Sequence, residues 1–194
     1  MRRPRLLVRG AILSVFAAFG VVAPAEGADY FLEINGIPGE SQDAKQAKSV
    51  DVLSYSWGVS RPPTTSSTGG AGGKPTLKEL TIHKRVDVAS PLLFRRLAAG
   101  QTISSMELIG RKSGASPLIF LRYCFQNVQV TSIQQSDATG AGPAPEEDVT
   151  FFYVAVSEQY TRQNPDGSIG QTVFAGWNSN TGVLISTYPT TCGF

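Results

Sequence analysis

The chain has 194 residues, 41% hydrophobic and 16% charged, with a formal charge of +2. That charge becomes −2 once the four arginines of the leader (Arg2, Arg3, Arg5 and Arg9) are set aside, which argues against nucleic acid as the main partner. One histidine and two widely spaced cysteines do not supply the paired spacings of a structural zinc site.

Residues 1–25 read as a secretory signal peptide. The arginines form the cationic start, residues 10–22 an apolar run, and Ala23-Pro24-Ala25 a small-residue cleavage site, with Ala25-Glu26-Gly27 as the alternative. The apolar run is shorter than the roughly 20 residues that span a bilayer, which favours cleavage over an uncleaved anchor. Pro4 and Arg5 fit a twin-arginine motif poorly, so general export is expected. The expected product is a secreted or periplasmic protein with no membrane span after cleavage. It would hold one domain over residues 29–194, with a C-terminal extension over about residues 183–194.

Strands follow in order. Phe31 and Leu32 open the first; Leu53, Tyr55, Trp57 and Val59 share a face of the second; Leu80, Ile82 and Val86 share a face of the third. Met106 and Leu108 mark a fourth, and the runs LIFLRYCF and VQVTSI two more. Residues 149–160 form a long strand apolar on both faces, with Phe152, Val154 and Val156 on one and Phe151, Tyr153 and Ala155 on the other. Such a strand is buried on both sides or offers one side to a second protein surface. One helix is predicted over about residues 91–99, with Ser90 as N-cap, Pro91 at its first position and Gly100 as its stop. Residues 61–75 and 137–148 read as Gly/Pro-rich loops, and Asn164-Pro165-Asp166-Gly167 as a tight turn. The fold class is mainly β: a compact, closed or nearly closed antiparallel barrel with one short α-helix.

No catalytic constellation emerges, and no cofactor or metal is expected. His83 alternates with Thr81 and Arg85 opposite an apolar face, as a solvent or interface residue would. Glu146, Glu147 and Asp148 read as a solvated loop edge rather than a calcium loop. Glu33, Glu40, Asp43 and Asp51 lie on or near the first strands without any sign of a glycosidase pair. The glycine-rich residues 69–74 lack the spacing of a phosphate loop. Tyr55, Trp57, Trp177 and Tyr188 could make an aromatic platform for a sugar, or fill a core or interface. Cys124 and Cys192 form either a disulfide tying the tail to a strand or two packed thiols; the sequence leaves both open.

Five segments in order carry a resemblance to a known family. They are FLEINGIPGESQD, DVLSYSWGV, LKELTIHKRVDVASPLLFRRLAAGQ, MELIGRKSGASPLIFLRYCFQNVQVTSI and VTFFYVAVSEQYTRQNPDGSIGQTVFAGWNSNTG. Together they span about residues 30–182 and resemble the haemolysin-coregulated proteins (Hcp) of type VI secretion. The resemblance implies a β-barrel with one helix that assembles as a hexameric ring. Such rings stack into the inner tube of an injection apparatus, capped by a spike protein, surrounded by a sheath, and expelled with small effector cargo. The protein's first partner would be itself, and its action mechanical rather than enzymatic. The loop carrying Glu40, Ser41, Gln42 and Asp43 would then be a ring-to-ring contact, and the strand with Phe151, Tyr153 and Ala155 a subunit interface. The leader departs from the family, whose tube subunits are loaded from the cytoplasm. Either this protein reaches the periplasm or exterior alone, or translation starts downstream. The reading from another class is an exported monomeric barrel that binds a ligand or glycan.

Overall fold

A computed structural model describes residues 27–63, 73–113, 117–138, 142 and 144–192. The expected leader and most of the loop at 61–75 lie outside the described residues. The elements are β1 (Ala28–Ile34), β2 (Val50–Val52), β3 (Ser54–Ser56), β4 (Val59–Ser60), β5 (Thr76–Leu77), β6 (Leu80–Arg85), α1 (Ser90–Ala98), β7 (Ile103–Lys112), β8 (Ile119–Ser136), β9 (Glu146–Gln163), β10 (Ile169–Asn178) and β11 (Val183–Leu184). The fold is mainly β and antiparallel, with one helix among the described residues, as expected.

The main sheet runs β11-β10-β9-β8-β7-β1-β2, with β6 joined to β9 and β3 joined to β6. No single continuous ladder closes it. Residues 50–56 instead divide their pairing. Val50–Val52 pairs with β1, Ser54–Ser56 pairs with β6, and the Leu53 N–H between them donates to the His83 carbonyl at 2.8 Å. This bent segment brings β1 and β6 round one core, while β10 and β11 extend the sheet beyond it. The core holds Leu32, Val50, Leu80, Ile82, Leu93, Met106, Leu108, Phe125, Val128, Val149, Phe151 and Tyr153.

β8 and β9 are each 18 residues long. The two apolar runs read separately around Asn127 are one strand, and β9 begins three residues before the expected start. Both strands change the face they bury partway along. In β8 the core residues are Leu121, Tyr123 and Phe125, then Val128 and Val130; in β9 they are Phe151 and Tyr153, then Val156. In β7 they are Ile103, then Met106 and Leu108. The pairings Ile103 to Val128 and Val128 to Tyr153 put the three changes at one level of the sheet. Asn127 marks it with φ 53°, a left-handed conformation that asparagine tolerates better than most residues. Strict period-two reading fails across such a level, because the inward parity reverses there.

The helix docks on β8. Ser90 is its first residue rather than a cap before it, and Ala89 makes no side-chain cap. The Ser90 hydroxyl is drawn inward, accepting the Asp87 N–H at 3.0 Å and donating to Glu147 Oε1 at 2.6 Å. Gly100 takes φ 60° and stops the helix as expected.

Candidate assembly surfaces

The loop at residues 36–49 is folded back on itself. Gly39 N–H donates to the Lys48 carbonyl at 2.6 Å and Ser41 N–H to the Ser49 carbonyl at 3.0 Å. Any side chain at Gly39 would run into the Ser49 backbone, so close approach dictates glycine here. Asp43 organises the interior of the loop. Its Oδ1 accepts the N–H groups of Lys45 and Gln46 at 2.9 and 3.0 Å. Both its oxygens receive the Arg111 guanidinium fork at 2.7 and 2.6 Å. Arg111 lies 4.8 Å over the Phe31 ring. The hydrogen bond from Arg111, then that from Lys45, holds the Asp43 carboxyl well below the usual carboxylate range. Glu40 accepts the Val88 N–H at 3.3 Å, joining the loop to the turn before the helix.

Of the four loop residues expected at a contact, Glu40 and Gln42 are exposed. Ser41 is buried and Asp43 is engaged with Arg111. The last two therefore shape the loop rather than face a partner.

The strand residues need a larger correction. Phe151, Tyr153 and Ala155 are 0%, 2% and 1% exposed, so they lie inside the chain and present nothing to a neighbour. The Tyr153 hydroxyl donates to the Lys78 carbonyl at 2.6 Å. The strand is apolar on both parities partly because its buried face changes midway. The exposed apolar side chains of this part of the sheet are Phe152 and Tyr160 on β9, Ile169 and Val173 on β10, and Val183 and Leu184 on β11.

The ladder between β6 and β9 sorts its charges by face. Inward, Lys84 is fully buried and pairs with Glu147 at 2.9 Å and Asp87 at 2.7 Å. Gln135 donates to the other Glu147 oxygen at 2.8 Å. Burial works to raise the Glu147 carboxyl, but hydrogen bonds from Ser90, Lys84 and Gln135 outweigh it and leave it below its ordinary value. Outward, His83 stands between Asp148 at 2.9 Å and Glu146 at 3.0 Å. Only the imidazolium donates to both carboxylates, and the hydrogen bonds to Asp148 and then Glu146 raise its pKa above 6.5. The run Glu146-Glu147-Asp148 is thus strand, not loop edge; pairing with β6 draws it into the sheet. Among the described residues no group of three or more His, Cys, Asp or Glu is placed to hold a metal ion. Nor is any described helix long and apolar enough to cross a membrane.

The four aromatics of the sugar-platform reading do not share one surface. Tyr55 packs edge-on against Tyr30 and Tyr123, with centroids 5.1 and 6.0 Å apart. Tyr188 packs against Phe174. Trp57 and Trp177 do come together, lining an apolar pocket of about 190 Å³ with Val59, Leu77, Val156 and Leu184. Glu158 also lines that pocket, its Oε1 accepting the Tyr123 hydroxyl at 3.2 Å.

Cys124 and Cys192 are joined, closing a separation of 68 residues. The disulfide is one of the two readings that the residues leave open. The burial of Glu147 and the change of parity along β7–β9 carry no local sequence signal, apart from an asparagine at the level where the parity changes.

A family model described as "Type VI secretion system effector, Hcp" matches residues 31–160. Protein hcp1 of Pseudomonas aeruginosa is 31% identical over 153 residues, which cover 77% of this chain and 94% of that protein. A solved structure of a type six secretion system protein superposes with a TM-score of 0.77 at 30% identity, covering 82% of this chain and 100% of the other. Hcp1 from Salmonella typhimurium follows at 0.69 and 32%, covering 81% of this chain and 99% of that one.

Proposed function

Because the chain belongs to the Hcp family of type VI secretion proteins, we propose that it works by self-assembly, as a subunit of hexameric rings that stack into a tube. The observation that carries this reading is the apolar side-chain set left outside the core on β9, β10 and β11. Tyr160, Val173 and Ile169 are 43%, 49% and 69% exposed where β10 extends the sheet beyond the core, and Phe152, 46% exposed, lies elsewhere on β9 opposite Gln129, on the outward face. A ring requires two different surfaces that meet head to tail through a rotation that closes. The sheet extension supplies one, and the exposed loop residues Glu40 and Gln42 face a stacked ring in this reading. The spike, the sheath and small effector cargo are its further partners.

The action is mechanical. His83 is held by two carboxylates, and among the described residues no nucleophile bonds to it, so its arrangement resembles a strand clip and not a base oriented for attack. The leader points to a secreted or periplasmic destination. Sedimentation of the chain lacking residues 1–25 tests the assembly reading. A hexamer is expected at micromolar concentration, and Val173→Asp together with Phe152→Ser should leave monomers with an unchanged circular dichroism spectrum. A wild-type chain that stays monomeric at the highest soluble concentration would refute it.

A second reading has one observation in its favour. Trp57 and Trp177 meet in one pocket, as a ligand- or glycan-binding barrel would need. Glycan-array binding that disappears in both Trp57→Ala and Trp177→Ala would support it over assembly.

A further inference from the structure

Residues 185–192 follow β11 and lie across the outer face of the sheet. Ile185 N–H donates to the Gly176 carbonyl at 2.9 Å. Ser157 and Ile185 approach Gly176 too closely for any side chain there. The Tyr188 hydroxyl donates to Glu107 Oε1 at 2.7 Å, beside the Arg122 guanidinium on the same oxygen at 3.0 Å. The Ser105 hydroxyl donates to the Thr191 carbonyl at 2.9 Å, and Gln126 to the Thr191 hydroxyl at 3.0 Å. Cys192 then ends the run on Cys124.

Under this cover lie polar groups of a sheet's outer side. Ser105 is 2% exposed, Glu107 0% and Ser157 1%. The cover satisfies them incompletely: Glu107 Oε2 and Ser157 Oγ are buried without a hydrogen-bond partner. Opening would return both to water, and buried groups left unpaired favour opening. Four hydrogen bonds and the Phe174–Tyr188 ring contact also hold these residues, against the backbone freedom that they would regain. The disulfide adds a restraint that persists when any of those contacts opens.

We propose that residues 185–192 are a redox-released strap. The Cys124–Cys192 disulfide holds it shut, and a thiol reductant frees it, uncovering the outer face around Glu107 while the barrel stays folded. In the exchange, a reductant thiolate attacks Cys192 Sγ and Cys124 leaves as a thiolate that takes a proton. A second reductant thiol then resolves the mixed disulfide. Two electrons pass to the protein, giving two cysteine thiols and one oxidised reductant disulfide. Reclosure is favoured because β11 anchors the strap a few residues away, keeping Cys192 at high effective concentration near Cys124. The same chain thus presents a covered face where thiols are oxidised and an open one where they are reduced. This holds whether or not rings form.

Carboxyl labelling with a water-soluble carbodiimide and an amine, read by peptide mass spectrometry, tests it on the full chain. Hydrogen exchange is followed in parallel. Dithiothreitol should raise labelling of Glu107 at least tenfold and bring the amides of residues 185–192 to the free-chain rate. Core amides of β1, β7 and β8 should keep their protection, and reoxidation should reverse the change. Cys192→Ser should behave as the reduced protein without any reductant. Three outcomes overturn the proposal: Glu107 labelling and tail exchange that ignore reduction, protection lost throughout the barrel at once, or a bond that resists millimolar dithiothreitol in the folded protein.

Discussion

The two faces of the β6–β9 ladder use nearly the same chemistry to opposite ends. Inward, Lys84 and Glu147 form an ion pair with both side chains at 0% exposure, held further by Asp87, Ser90 and Gln135. One residue away, His83, Glu146 and Asp148 form an ion cluster with side chains 34%, 43% and 55% exposed. The inner cluster fixes where the helix meets the barrel, since Ser90 belongs to the helix and the other partners to strands and the turn. Such a pair is weak evidence for net stability, because desolvation offsets much of the attraction. Its removal by halves is another matter. The outer cluster is screened by water and responds to pH instead.

The largest test of that contrast is Lys84→Ala. It strands a buried carboxylate, and the expected loss is about 3–5 kcal/mol in denaturant unfolding. Adding Glu147→Gln to the same chain should recover part of it, because one of the two carboxylates that Lys84 paired is then neutral while Asp87 stays charged. A loss no larger than that of an ordinary surface lysine would break the contrast.

Phe151→Ala and its neighbour Phe152→Ala sharpen it along the same strand. The first opens a cavity in the core and should cost about 3–5 kcal/mol. The second changes an exposed ring and should stay within about 0.5 kcal/mol for the isolated subunit. If rings form, sedimentation should show Phe152→Ala weakening assembly.

The smallest effect belongs to His83→Gln, below about 1 kcal/mol after solvent screening. Its sign is fixed by the raised folded-state pKa. The imidazolium's contribution is fully present below the unfolded value near 6.5 and is lost as pH rises through the higher folded value. The gap in thermal midpoint between wild type and His83→Gln should therefore be widest below the unfolded value near 6.5 and close as pH rises through the raised folded value. A gap that widens with pH would remove the outer cluster's assigned role.

Much of this architecture can be read from the residues alone. Turn chemistry at Gly100 and residues 164–167, the apolar alternation of Leu80 and Ile82, and the ordered family segments all fix local structure by local means. What escaped reading depends on distant partners. Ser90 carries the composition of an N-cap, but Lys84 and Glu147 turn its hydroxyl inward. Glu147 lies in a run of acids beside a Gly/Pro loop, which says solvent; its pairing with β6 says core. The strand of Phe151 and Tyr153 reads as an interface because it is apolar on both parities, and period-two counting takes each parity to keep one side throughout. Burial of Ala155 likewise depends on packing that its short, neutral side chain does not announce.

The reversal of inward parity at Asn127 has an engineering consequence. Along β7 and β9 the sheet behaves as two stacked half-lattices in antiphase, sharing strands but not their odd–even count, and β8 shifts once more at the irregularity between Val130 and Ser132, beyond which Ile133 packs on the core. Losing a single residue from β8 above that level would slide polar positions into the lower half, while the same loss within a flanking turn could be absorbed. Hairpins exchanged with a relative must therefore be cut where the two lattices meet, since a graft spanning the seam transplants one half correctly and inverts the other.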